Sequence, residues 1–154
     1  MSDIFHQEAF SDIRRENSKL RTYSMFKTCP GYEQYLTVIQ NIEIRTALTK
    51  LRLSNHQLMI EKGRHVGIES AYRFCPFCPD KVEDEKHFLM DCKSYFTLRN
   101  ELLYKTRNKV PYHCDTQKFI TLMNNNDILR ITAEYIHNAF KLREFLMCNH
   151  KVYD

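Results

Sequence analysis

The sequence predicts a mainly α-helical domain with a small Cys-Cys-His-Cys zinc finger embedded in it. Apolar residues recur at helical spacing in several stretches, most plainly at Ile44, Ala47, Leu48 and Leu51 and again from Ile128 to Leu146. Only 3 Gly and 4 Pro serve 154 residues, which leaves little material for β-turns; 43% hydrophobic and 12% aromatic residues supply a core and exclude a disordered chain. Between the helical stretches, Cys75, Cys78, His87 and Cys92 form two close pairs of soft ligands. The expected organisation is an N-terminal helical segment over 1–70, a finger over 71–95 and a C-terminal helical segment over 96–154, packed as one compact unit.

Ser11 to Lys27 reads as a helix with Ile13, Leu20, Tyr23 and Phe26 as apolar points and Arg14, Arg15, Lys19, Arg21 and Lys27 as a charged face. Cys29-Pro30-Gly31 breaks it. Tyr32 to Ile39 fits either a short helix or an extended lead-in. The next helix carries the Ile44 to Leu51 stripe, with Arg45, Thr49 and Arg52 together on another face where they suit a phosphate backbone. Ser54 or Asn55 is expected to cap a short helix from His56 to Lys62 that Gly63 ends. His56 and His65 lack partners at metal-ligand spacing and read as surface or packing residues.

In the finger, two residues separate Cys75 from Cys78, enough for a tight knuckle; Pro76 keeps Cys75 out of the helical region and Pro79 stops the knuckle from running into a helix. Asp84 or Glu83 should cap a short helix through His87, Phe88 and Leu89 and orient the imidazole. On an ideal helix a residue five along points about 140° away, so the backbone near Asp91 must unwind for Cys92 to meet the same ion. A redox dithiol fits less well, because no βαβ pattern surrounds the CxxC and Pro79 follows it directly. Four protein ligands leave no open position for water, so the reading is one structural Zn²⁺ per chain, without catalysis. Glu83-Asp84-Glu85 cannot all face one ion, and capping explains them better than two-metal chemistry.

Beyond the finger, Tyr95, Phe96, Leu98, Leu102 and Leu103 define a helix to about Arg107 that Val110-Pro111 ends. His113-Cys114 are adjacent and lack a second pair, so they are not ligands. Thr116 to Met123 is a short helix before the Asn124-Asn125-Asn126 turn, and Asp127 caps the final helix. In that helix Ile128, Thr132, Tyr135, Ala139, Leu142 and Leu146 face the core or a protein partner, while Arg130, Glu134, His137, Lys141 and Glu144 face solvent.

Lys plus Arg number 23 against 19 Asp plus Glu, and the resulting +4 permits contact with nucleic acid without demanding it. Cys29, Cys114 and Cys148 have no paired spacing, as expected of a reduced chain. The start lacks a secretory signal, and no segment approaches the ~20 apolar residues of a bilayer span. The expectation is a soluble protein of the nucleus or cytoplasm, not secreted. No nucleotide loop, nucleophile elbow or catalytic carboxylate pair emerges.

Several segments together resemble the zinc-binding region of non-LTR retrotransposon polyproteins, which lies downstream of the reverse transcriptase domain. They are Ala47 to His56, Ile60 to Arg64, Arg73 to Cys78, and Val82 to Cys92 with Tyr95 and Arg99; Asn17 to Lys27 and Lys118 to Asn124 resemble its flanks. The resemblance implies a module that helps a parent protein hold RNA or DNA, weakly and with little sequence preference, with Cys75, Cys78, His87 and Cys92 as zinc ligands. Arg45, Lys50, Arg52, Lys62, Arg64 and Arg73 are the basic residues that would neutralise phosphates. The parent family is an RNA-directed DNA polymerase; this chain holds neither polymerase nor endonuclease, so no enzyme activity is expected of it. The alternative is a zinc-stabilised helical scaffold that binds protein through the Ile128 to Leu146 face.

Overall fold

A computed structural model describes residues 19–27, 31–112 and 114–150. The predicted helix from Ser11 lies outside these residues as far as Ser18, as do Cys29, Pro30 and His113. The described end of that stretch forms one turn, α1 (Arg21–Ser24), and α2 (Tyr35–Val38) settles the undecided lead-in as helical. Next comes α3 (Ile42–Arg52), whose first amides are satisfied by Asn41: its side chain accepts from Glu43 N at 2.9 Å and Ile44 N at 3.2 Å.

The helix expected from His56 to Lys62 instead starts three residues later, as α4 (Met59–His65). Its N-terminal amide is capped from a distance in sequence: the Glu83 carboxylate accepts Met59 N at 2.7 Å, and Glu83 O accepts Ile60 N. Gly63 does not stop this helix. It sits within it because the Arg73 side chain lies across it, and a Cβ there would come within 2.6 Å of Arg73 Cγ. Gly67, with a φ of +76°, marks the end instead.

After a 3₁₀ turn (Ser70–Tyr72) come the two short antiparallel strands β1 (Phe74–Cys75) and β2 (Cys78–Val82), then a wide π turn (His87–Asp91) and a second 3₁₀ turn (Lys93–Tyr95). The chain closes with α5 (Phe96–Thr106), α6 (Asp115–Asn124) and α7 (Leu129–His150). On α5 the buried positions are Arg99, Leu102 and Thr106, following Tyr95, whereas Phe96 is 60% exposed. That inward stripe keeps helical spacing but mixes charge, hydroxyl and apolar chemistry, so apolar periodicity misplaced Phe96.

The spine is α7, which packs against α3, α5, α6 and α2. Ile128, Thr132, Tyr135 and Ala139 are buried in one core with Ala133 and Ile136, and this core includes Cys75, Phe77, Phe88, Leu89 and Cys92 of the finger. The first half of the face expected to meet a protein partner is thus already covered. Among the described residues no helix is long and apolar enough to cross a membrane.

Candidate metal centre

Two local devices bring the four ligands together. In the first, β1 and β2 pair Phe74 with Val82 and Cys75 with Cys78, so that Pro76 and Phe77 form the tip and both thiols sit at one end of the ribbon. Pro76 holds Cys75 in the extended region it needs as a strand residue. Pro79 is tolerated inside β2 because a two-stranded ribbon leaves one edge unpaired. Phe77 is buried edge-on against Tyr95, with centroids 6.4 Å apart, which anchors the tip to the helical core.

The second device is the π turn. Asp84 Oδ1 accepts His87 N at 2.7 Å and opens the turn. Cys92 N then donates to His87 O at 2.8 Å, five residues back. The unwinding expected near Asp91 takes the form of a turn widened from His87 to Asp91, and an i→i+5 closure swings Cys92 round to the side of His87 without breaking the hydrogen-bonded path.

The four candidate ligand atoms of Cys75, Cys78, His87 and Cys92 lie within 4.8 Å of one another and can hold one metal ion. Cys92 Sγ is 3.9 Å from Cys75 Sγ and 3.7 Å from Cys78 Sγ. A tetrahedron with metal–sulfur bonds of about 2.3 Å has an edge of about 3.8 Å, so the sulfurs already stand at tetrahedral spacing. They are far beyond the ~2.05 Å of a disulfide, and all three are free thiols. His87 Nε2 is buried without a hydrogen-bond partner among the described residues, which suits a ring nitrogen that donates its lone pair to a cation. The crowding also polarises the thiols. The hydrogen bond shared with Cys75 holds the Cys92 thiol below its ordinary range, with help from His87, and the same bond together with burial pushes Cys75 up. A cation bound among the three sulfurs would favour the thiolate form of all of them.

The neighbouring acids point three ways, and only Asp84 is a cap of the metal loop. Glu83 is buried and meets Arg143 of α7 in a fork, with Nε to Oε1 at 2.9 Å and Nη2 to Oε2 at 2.8 Å. Glu85 Oε1 receives Arg21 Nη2 at 2.7 Å, Ser54 Oγ at 2.9 Å and His56 Nε2 at 2.9 Å. Burial pushes the Glu85 carboxyl up, but the His56 hydrogen bond and the Arg21 charge outweigh it and hold it at about 2. His56 is therefore a buried partner of Glu85, while His65 is exposed.

Three of the six basic residues expected at phosphates are engaged internally. Arg52 is 1% exposed: its guanidinium lies 4.4 Å from the Phe26 centroid and 5.1 Å from that of Tyr35, donates to Glu33 Oε2 at 2.9 Å and also reaches Met123 O. Arg45 donates to Leu36 O and Ile39 O at 3.1 and 3.0 Å, closing the end of α2, and Thr49 between them bonds Arg45 O and Tyr35. Arg73 donates to Ile68 O and Ile60 O. The Arg45, Thr49, Arg52 row thus faces the protein, where long side chains serve carbonyls and rings. Lys50, Lys62 and Arg64 remain on the surface, Arg64 beside Glu61 at 2.9 Å.

No protein-family model, curated protein or solved structure matches the chain. Its functional features are therefore those of its own residues. Sequence reasoning passed over Arg143 and Glu85 as buried charges, and the exposed ring pair of Tyr72 and Phe74 beside the finger, 62% and 40% exposed with centroids 6.2 Å apart. Two aromatic residues with one position between them, just before Cys75, are the available signal.

Proposed function

We propose that the chain is a zinc-dependent, non-catalytic nucleic-acid-binding module of the reduced interior of the cell. Zinc is the ion best suited to three thiolates and an imidazole at tetrahedral spacing, and a set of four protein donors leaves no position for an activated water. When bound, the ion would fix the knuckle and the π turn in one geometry; the protein's own residues do the recognising.

The observation that carries the nucleic-acid reading is the exposed Tyr72–Phe74 ring pair, with exposed cations on α4 and β2, the two elements that pack on its segment. Lys62, Arg64 and His65 are exposed on α4, which packs on the Ser70–Tyr72 turn and on β1, and Lys81 is exposed on β2. Rings that offer their faces to bases, set among cations that neutralise phosphates, are the elements of a sequence-tolerant nucleic-acid surface. Glu69 and Asp80 are exposed as well and keep the attraction weak. The resemblance of the Cys, Cys, His, Cys segment to the retrotransposon zinc region points the same way.

The test is fluorescence anisotropy of zinc-loaded protein with labelled oligonucleotides over a salt series. Contact by Lys62, Arg64 and Lys81 predicts a fall of log affinity with log salt at a slope of roughly 2 to 3. Lys62→Gln with Lys81→Gln should flatten that slope for all sequences alike. No binding at low salt, or binding indifferent to salt, overturns the reading.

A further inference from the structure

We infer that Tyr135 of α7 is a positioning residue of the metal centre: its phenol holds open the wide turn that carries Cys92 to the other three ligands. The inference rests on the metal reading above and concerns how the fold sets the ligand geometry.

In an α-helical turn the Cys92 amide would donate to Phe88 O, and Cys92 would point about 140° away from His87. Here that amide is committed to His87 O at 2.8 Å, so Phe88 O loses its ordinary helical donor. Phe88 and Leu89 have no exposed surface, so bulk water does not compensate, and a buried carbonyl without a donor favours return to the narrower turn. Tyr135 supplies what is missing. Its hydroxyl lies 3.1 Å from Phe88 O and 3.4 Å from Leu89 O, 47 and 46 residues away in sequence. The wide turn is thus stabilised from outside by a single side chain that the narrow turn does not need.

The phenol is well placed for this role. It is 4% exposed, and burial pushes its pKa up against the pull of the neighbouring Arg99, which also hydrogen-bonds to it. Phe88 is gripped beside it, stacked on Phe140 with centroids 4.7 Å apart and tilted against Tyr135 at 6.4 Å. Arg143, farther along the same helix, takes Glu83 at the start of the metal loop. Tyr135, Phe140 and Arg143 therefore grip the loop from one helix.

Tyr95 provides the control. It also packs on Phe88, at 4.9 Å between centroids, but its buried hydroxyl has no hydrogen-bond partner among the described residues. Tyr135→Phe and Tyr95→Phe remove the same atom from neighbouring rings, and only the first removes a bond to the π turn.

Cobalt(II) titration of reduced wild type and both variants, in competition with a chelator of known affinity, reads the difference. Tyr135→Phe should bind cobalt about tenfold more weakly and shift its visible d–d bands, as expected when a group that orients a ligand is lost. Tyr95→Phe should match wild type in both. Equal affinities and spectra in the two variants overturn the role of Tyr135 and leave the metal reading standing. A wild type without a tetrahedral thiolate spectrum overturns the metal reading and this inference with it. Should Tyr135→Phe fail to fold, the exchange rate of the Tyr135 hydroxyl proton in metal-loaded wild type decides: slow exchange supports the bond to the turn, and fast exchange overturns it.

Discussion

The helical spine and the metal loop are buried in the same core but held in different ways. Where α3 and α7 turn inward they offer Leu48, Leu51, Ala133, Ile136 and Ala139, all fully buried, and the polar contacts of Glu43 with His137 and Lys141 lie at the exposed margin. The loop from Glu83 to Cys92 has Phe88 and Leu89 as its fully buried apolar residues, and its shape rests on directional contacts: the Asp84 cap, the Glu83–Arg143 fork and the Tyr135 phenol, which set His87 and Cys92 beside Cys75 and Cys78. Apolar packing is spread over many small contacts, and losing one costs its share. A ligand set works as a unit, so losing one member releases the others.

The largest effect expected from this contrast is removal of a ligand. Cys92→Ala should abolish zinc binding and release the stretch from Phe74 to Tyr95, since structural zinc sites contribute ~10 kcal/mol or more of apparent folding free energy. Most far-ultraviolet helicity should survive, and Cys148→Ala, exposed and outside the cluster, should keep the metal. Elemental analysis, circular dichroism and amide exchange measure these outcomes. A collapse of all helicity would break the comparison by showing that the loop nucleates the whole fold.

The second prediction tests whether the two regions are separable. Glu83→Ala strands Arg143 in the core and uncaps α4, and should cost about 3–5 kcal/mol in urea unfolding. The double change Glu83→Leu with Arg143→Met should recover most of this by removing both charges, short of what the α4 cap supplies. If Glu83→Ala lost metal affinity but no stability, the fork would belong to the finger alone.

Acid provides a third, slightly smaller effect. Glu85 is held at about 2 against an ordinary 4.5, so its contribution is complete above about pH 4.5 and is lost as pH falls from there towards 2. The gap corresponds to about 3 kcal/mol. Unfolding curves of wild type and Glu85→Gln, compared over that window at equal zinc, should converge as the pH drops; parallel curves would mean that Arg21 and His56 do not hold the carboxylate.

The smallest effect concerns the helix alone. Asn41→Ala removes the cap of α3 and should cost about 1 kcal/mol while leaving zinc affinity unchanged. A change in affinity would show that the spine and the metal site share strain across the core.

By itself the sequence determined the helical class and the stripe of α3, and it singled out the four residues that the fold gathers into a cluster able to hold a metal ion. These are set by local spacing: a 3.6-residue period identifies a buried face, and two close pairs of soft donors identify a metal knuckle. It did not determine what the charges do. Arg45, Arg52 and Arg73 look the same in a sequence as Lys50 and Lys62, yet the first three serve carbonyls and rings inside and the last two face water. Glu83, Asp84 and Glu85 are consecutive, and tertiary structure alone sends them to Arg143, to the π turn and to Arg21 with His56. The start of α4, the role of Gly63 and the width of the turn before Cys92 were decided in the same way, by partners 10 to 60 residues distant. A long charged side chain reaches several ångströms in any direction, and burial makes an unsatisfied charge or carbonyl costly, so its partner is chosen by whatever the fold brings within reach.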